Sequence, residues 1–249
     1  MTVMQSLGKV LAALALLPAI AFANDHVMLD EAPINGHDVI SLQRGARTFV
    51  NYCMGCHSAA YMRYNRLTDL GLTEQQIKDN LMLVGDKIGE PMTIAMKRPD
   101  AAQWFGAQPP DLSVVARSRG ADWLYTYLRT YYRDESRPTG WNNVAYPNVG
   151  MPNVLWELQG EQVLEVVEHK EGEAHAGGHA APKLVLERQG TLSQKQYDLM
   201  VTDLVNYLVY MGEPARTSRM QLGILVLLFL GVAFVFALLL KKEYWKDVH

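Results

Sequence analysis

Cys53-Met54-Gly55-Cys56-His57 puts two thiols one helical turn apart and an imidazole directly after the second. Residues three and four apart share a helix face. Both sulfurs can therefore bond one edge of a flat macrocycle, while His57 turns its ring beneath the metal at the centre. C-x-x-C-H is the attachment signature of a c-type haem. A bare C-x-x-C also occurs as a redox pair or as half of a zinc site. A structural zinc normally takes four N/S ligands, and no second cysteine pair exists to complete the set. A thioredoxin-like pair belongs beside a βαβ pattern, which this sequence does not show.

The chain has 249 residues, 49% hydrophobic and 20% charged, enough for one globular domain with appendages. Its only two cysteines are those of the motif, so covalent haem is the one staple open to an exported domain. The formal net charge of −3 is unevenly spread. Arg216, Arg219, Lys241, Lys242 and Lys246 make the C-terminal end basic, which leaves 24–214 acidic. An acidic domain favours a basic protein partner over nucleic acid, although solubility alone also accounts for such a charge.

Two apolar ends frame the domain. Lys9, the run Val10–Leu17 and Ala21-Phe22-Ala23 form a secretory leader with an A-x-A cleavage pattern. We therefore expect 1–23 to be removed, and Pro18 argues against an uncleaved anchor. Met220 to Leu240 carries no charge and would make a helix about 31 Å long, the thickness of a bilayer core. The expected organisation is a periplasmic haem domain over 24–214, a transmembrane segment with its flanks over 215–242, and a cytoplasmic tail over 243–249. The leader sets that orientation.

Within the domain, the spacing predicts a helix from Ser41 to Cys56 with Leu42, Gly45, Ala46, Phe49 and Val50 on its apolar face. Gly45, one turn before Phe49, would let another helix approach closely. Ser193 and Gln196 form a capping box opening a helix with Tyr197, Met200, Val201, Leu204, Val205, Leu208 and Met211 at helical spacing. That helix ends at Gly212 and Pro214. A second box, Thr73 with Gln76, starts a short helix through Leu83. Asp122 to Tyr132 reads as another, with Trp123, Leu124, Tyr127 and Leu128 inward. Residues 163–168 and 183–188 alternate apolar and polar character and predict a β-hairpin. Packing of an N-terminal helix against a C-terminal one beside a haem resembles the class I cytochrome c fold, so the fold class expected is mainly α, a class I cytochrome c-like haem domain with long loops, this small hairpin insertion and one C-terminal transmembrane helix. The hairpin's connection carries His169, His175 and His179 in a low-complexity run, which is weak evidence for a metal.

A haem bound by one histidine takes a second axial ligand or keeps an open position. Most of the 12 methionines sit at core spacing on helices. Met151 lies instead in the loop Tyr146-Pro147-Asn148-Val149-Gly150-Met151-Pro152, where Gly150 permits close approach and Pro152 stiffens the chain. A thioether opposite imidazole raises the reduction potential and closes the iron to substrates. His26 and His37 are the competing residues, and Met151 is the favoured one.

The order of leader, C-M-G-C-H, Trp104-Phe105-Gly106-Ala107-Gln108-Pro109-Pro110-Asp111-Leu112-Ser113, Arg117-Ser118-Arg119, Gly150-Met151-Pro152 and a C-terminal apolar helix resembles the cytochrome c1 family. The resemblance runs from Ser41 to Lys242. It implies thioethers at Cys53 and Cys56, and axial ligands His57 and Met151. It also implies Arg119 on a haem propionate and Pro110 in the wall beside the ring. Some bacterial relatives brace the methionine loop with an extra cysteine pair, which is missing here, so packing must hold Met151.

The function implied is electron relay within the quinol–cytochrome c reductase (bc1) complex. The partners implied are cytochrome b, a Rieske iron–sulfur protein as donor and a soluble or membrane-bound cytochrome c as acceptor. On this reading the complex is dimeric, the chain is no enzyme on its own, and its place is the cell inner membrane. Glu157, Glu161, Glu165, Glu168, Glu171 and Glu173 are the candidate acidic docking face. A membrane-tethered haem subunit of a terminal oxidase is the alternative. A haem sensor or a small haem enzyme with an open position is a third class.

Overall fold

The first described helix is capped by Asp38, whose Oδ1 accepts from Ser41 N–H at 2.9 Å. The structure is a computed structural model that describes residues 27–165 and 183–246. The leader 1–23, His26, His169, His175, His179, Glu168, Glu171 and Glu173 lie outside the described residues. In chain order come helix α1 (Val39–Tyr52), strand β1 (Ala59–Arg63), a 3-10 helix (Tyr64–Leu70), α2 (Glu74–Asn80), β2 (Pro91–Met92), α3 (Arg98–Phe105), α4 (Val115–Arg119) and α5 (Ala121–Arg129). β3 (Tyr131–Arg133), β4 (Trp141–Asn143), α6 (Trp156–Gln159), β5 (Gly160–Glu165), β6 (Lys183–Gln189), α7 (Gln194–Gly212) and α8 (Arg216–Tyr244) follow. The sheets are three antiparallel pairs, β1–β2, β3–β4 and β5–β6, so the described domain is mainly α.

The core is organised by α1 crossing α7. A Cβ on Gly45 would stand 2.0 Å from the Asp203 carbonyl oxygen and 2.7 Å from Tyr207 Cβ, so the expected close helix approach is present and only glycine fits it. Beside the contact, the Phe49 and Tyr207 rings lie 5.6 Å apart. Arg44 makes a two-pronged bond to Asp203, at 2.6 and 2.9 Å. Phe49, Val201, Leu204, Val205 and Tyr207 are fully buried here, each such side chain stabilising the fold by about 1.5–3 kcal/mol. Both capping boxes form, Thr73 with Gln76 and Ser193 with Gln196. α5 lies against α7, where Tyr197 OH donates to Leu128 O at 2.8 Å.

Three helices end earlier than expected. α1 ends at Tyr52 instead of running through Cys56, and α2 ends at Asn80 before Leu83. α5 stops at Arg129 because Tyr131 and Tyr132 pair with Asn143 and Asn142, and Asn143 Nδ2 donates to the Tyr127 carbonyl at 2.7 Å. A side chain from β4 thus takes the bond a further helical turn would have made. The hairpin exists, with Val163 opposite Val185. It starts three residues earlier than expected, at Gly160, where φ is +93° and a Cβ would meet Arg188 O at 2.2 Å. α8 contains a stretch, Ser218–Tyr244, long and apolar enough to cross a bilayer, and its apolar side chains are exposed.

Candidate haem site

The motif is not a continuation of α1 but a single helical turn hung on its end. Cys53 and Met54 both donate N–H to Phe49 O, at 2.9 and 3.1 Å. Cys56 and His57 both donate to Cys53 O, at 3.1 and 2.9 Å. The four-residue bond from His57 back to Cys53 preserves the spacing the sequence relied on, although the regular helix has stopped. Cys53 is buried and Cys56 partly so. Burial pushes the Cys53 thiol up to about 12, the opposite of a reactive thiolate. Among the described residues no group of three or more His, Cys, Asp or Glu is placed to hold a metal, so the zinc reading finds no further donors.

His57 is buried, and its Nδ1 lies 2.7 Å from Pro110 O. A carbonyl only accepts, so Nδ1 carries the proton and Nε2 keeps its lone pair. That is the tautomer of a metal-binding histidine oriented from behind. Burial lowers the imidazole's proton affinity more than the Pro110 bond raises it, which favours the neutral ring. Pro110 therefore contributes its backbone oxygen, whatever its ring does.

The P-P-D-L-S segment is a strap laid along the chain that leaves the motif. Leu112 N–H donates to Ser58 O at 2.8 Å. Ala60 N–H donates to Asp111 Oδ2 at 2.9 Å, and Tyr61 N–H to Ser113 Oγ at 3.0 Å. Ser113 N–H closes on Asp111 Oδ1 at 2.8 Å. Burial would raise the Asp111 carboxyl, but the bonds from Ser113 and Ala60 hold it below its ordinary value. A cleft of about 200 Å³ opens beside Cys56, walled by Ala60, Ile94, Met96, Ala101 and Pro109.

The second cluster follows the strap. Arg119 is exposed and has no carboxylate partner among the described residues. Its guanidinium lies 5.0 Å from the Trp123 ring centre and 5.8 Å from that of Tyr146. Trp123 stacks on Tyr127 at 4.8 Å, and Tyr127 OH donates to Met151 Sδ at 3.4 Å. Arg119 and Met151 are thus joined through two aromatic rings. Burial raises the Tyr127 phenol to about 12, against a lowering by the bond with Tyr131.

The loop before Met151 is braced at residues the sequence did not single out. Asn148 adopts φ +62°. Its N–H donates to Asn142 Oδ1 at 2.8 Å, and Arg137 donates to its carbonyl and side-chain oxygens at 3.1 and 3.2 Å. Among the described residues beyond its two chain neighbours, no atom lies within 4 Å of where a Gly150 Cβ would stand, so crowding from them does not require that glycine. His37 is exposed on the turn before α1, and His26 is outside the described residues. In the proposed acidic face, Glu157 and Glu165 are exposed, but Glu161 is not free, being bonded to Arg188.

The donor set fits a covalently held haem: two sulfurs on one turn, an imidazole with only Nε2 free, a half-buried thioether already hydrogen-bonded, and an arginine without an acid partner. Comparison with known proteins bears on the same group. The family model described as "Cytochrome C1 family" matches residues 29–248. Cytochrome c1 of Allochromatium vinosum is 51% identical over 224 residues, 89% of this chain and 90% of that one. The ammonia monooxygenase gamma subunit of Nitrosomonas europaea is 48% identical over 247 residues, 99% of this chain and 100% of the relative. Cytochrome c1 of Rhodospirillum rubrum is 33% identical over 245 residues, 85% of this chain and 83% of the relative. The match spans the C-x-x-C-H turn, the strap and the apolar helix together. The chain belongs to the cytochrome c1 family, and is the haem c electron-transfer subunit of a bc1 complex, with α8 as its anchor in the inner membrane.

Proposed function

We propose that Cys53 and Cys56 bind haem by thioethers, that His57 Nε2 and Met151 Sδ are its axial ligands, and that Arg119 pairs with a propionate. When bound, a haem c with two protein ligands supplies one-electron redox chemistry at an iron closed to substrates. The observation that carries this reading is the His57–Pro110 bond, because it fixes which nitrogen is free. The strap holds the imidazole from behind, Met151 is held through its loop and Tyr127, and a guanidinium offers a carboxylate a planar two-pronged contact.

In this reading a Rieske iron–sulfur protein delivers the electron and a soluble or membrane-bound cytochrome c removes it. α8 keeps the domain beside cytochrome b in a dimeric complex. The haem domain faces the periplasm and residues 243–249 the cytoplasm. The subunit makes and breaks no bonds by itself. Two axial ligands favour a relay over a sensor or an enzyme with an open position, and the family match favours the bc1 complex over a terminal oxidase.

The test is a redox difference spectrum of the full-length chain, purified from its own membranes in mild detergent. Co-purifying b-type haem with quinol–cytochrome c reductase activity supports the proposal. Oxidase haem, or an ammonia-oxidising activity of the kind the Nitrosomonas relative is named for, contradicts the partner assignment and leaves the ligand assignment standing.

A further inference from the structure

A phenol has one proton to give, and that constraint decides how Tyr127, Tyr131 and Met151 are connected. The Tyr127 and Tyr131 oxygens are hydrogen-bonded to each other, and Tyr127 OH also lies 3.4 Å from Met151 Sδ. A thioether sulfur only accepts. If Tyr127 gave its proton to Tyr131, its oxygen would face Sδ with no hydrogen between them. The Tyr131 proton would then have no acceptor among the described residues. The arrangement that satisfies both hydroxyls has Tyr131 donating to Tyr127 and Tyr127 donating to Met151.

We propose that Tyr131 and Tyr127 form a directed donor pair that polarises the Met151 thioether and so sets its strength as an iron ligand. The proposal rests on Met151 being an axial ligand. Sulfur has two lone pairs, and one remains for a hydrogen bond when the other faces the metal. A donor on that second pair withdraws electron density and weakens the sulfur as a donor to ferric iron more than to ferrous iron. It therefore raises the midpoint potential, an outer-shell lever of the kind that tunes haem sites. Tyr131 strengthens the effect, because a hydroxyl that accepts a bond becomes a better donor.

The pair is built to stay aimed. Tyr131 is 1% exposed and Tyr127 is buried. The Tyr127 ring is stacked flat on Trp123 at 4.8 Å and 11°, and meets the Tyr131 ring edge-on at 5.3 Å and 67°. Arg119, Trp123, Tyr127 and Tyr131 follow one another at four-residue steps, each touching the next. This stripe joins the proposed propionate arginine to the proposed sulfur ligand. Tyr127 and Tyr131 are positioning residues, acting on the metal only through Met151.

The experiment compares the full-length haem-loaded chain, in membranes, with Tyr127→Phe, Tyr131→Phe, the double variant and Met151→Leu. Each tyrosine variant keeps its ring, so the stack on Trp123 survives. The readouts are the midpoint potential and the long-wavelength sulfur-to-iron charge-transfer band. Tyr127→Phe is expected to lower the potential and shift the band. Tyr131→Phe is expected to shift both the same way by less, and the double variant to match Tyr127→Phe, since Tyr131 has nothing left to polarise. An unchanged potential in Tyr127→Phe overturns the proposal, as does an additive double variant. Met151→Leu separates the failures. If it abolishes the band while Tyr127→Phe does nothing, only the donor pair falls. If Met151→Leu leaves the band intact, the ligand assignment falls and the donor pair with it.

Discussion

His57 gives its Nδ1 proton to the carbonyl oxygen of Pro110, 2.7 Å away and 53 residues later in the chain. The bond connects the end of the haem-binding turn to the strap, and the strap is held by Asp111 and Ser113 on the backbone of Ala60 and Tyr61. Orientation of the imidazole therefore depends on side chains outside the C-x-x-C-H turn.

Removing the Asp111 carboxylate leaves the N–H groups of Ala60 and Ser113 without their acceptor. Because the site is partly exposed, water recovers some of the loss, and Asp111→Ala is expected to cost about 1 kcal/mol. Denaturant unfolding of the haem-loaded protein in detergent, followed by haem absorbance, measures it. A midpoint equal to wild type contradicts the role of the strap.

The same carboxyl carries a pH signature. Its folded-state value lies below the ordinary one, so its contribution is fully present above the unfolded pKa of about 3.9. That contribution is lost as pH falls through the lower folded-state value. Wild type should therefore lose stability relative to Asp111→Asn only as the medium is acidified below about pH 4. A difference between the two that is constant down to strong acid contradicts the assignment.

Gly45 gives a prediction in which two effects oppose each other. Helix propensity alone says Gly45→Ala stabilises α1 by about 1 kcal/mol. The added Cβ would meet the Asp203 backbone oxygen at 2.0 Å, and backbone cannot swing aside as a flexible side chain would. Overpacking of this kind costs about 1–3 kcal/mol, so it should win. Thermal unfolding of the purified protein decides the sign, and a raised midpoint refutes the close crossing of α1 and α7.

Arg129 ties three segments together. It bonds Asp198 at 2.7 Å and Asp30 at 2.6 Å, and its guanidinium covers the Tyr125 ring at 4.4 Å. Arg129→Ala should destabilise the domain by about 1.5–3 kcal/mol and release the segment around Asp30. That segment keeps the bonds of Asp30 to Thr126 and Ala32 to Asp122, and further along the bond from Asn206 Nδ2 to Asn35 O at 2.8 Å. Limited proteolysis is the check: faster cleavage before Asp38 is expected, and an unchanged pattern contradicts the anchoring role.

The parts of the fold legible in the sequence are those set by local chemistry. The capping boxes at Thr73 and Ser193, the small residue at Gly45 and the uncharged C-terminal run all form as the residue pattern implies. What escaped depends on partners far along the chain. α5 stops at Arg129 because Asn143 reaches back to the Tyr127 carbonyl, and no propensity window around Tyr131 contains Asn143's answer. In the Met151 loop Gly150 drew attention, yet the strained residue is Asn148, held by Arg137. Trp123 and Tyr127 share a face at helical spacing, which usually means core. Only the position of the Tyr127 hydroxyl against Met151 Sδ separates it from ordinary packing.

Carbon monoxide added to the dithionite-reduced full-length protein tests the central claim, a haem held between His57 and Met151 as a closed electron relay. Wild type is expected to show no spectral change, and Met151→Leu, whose leucine offers no lone pair, a carbon monoxide complex. Stoichiometric binding by wild type, or none by Met151→Leu, would contradict it.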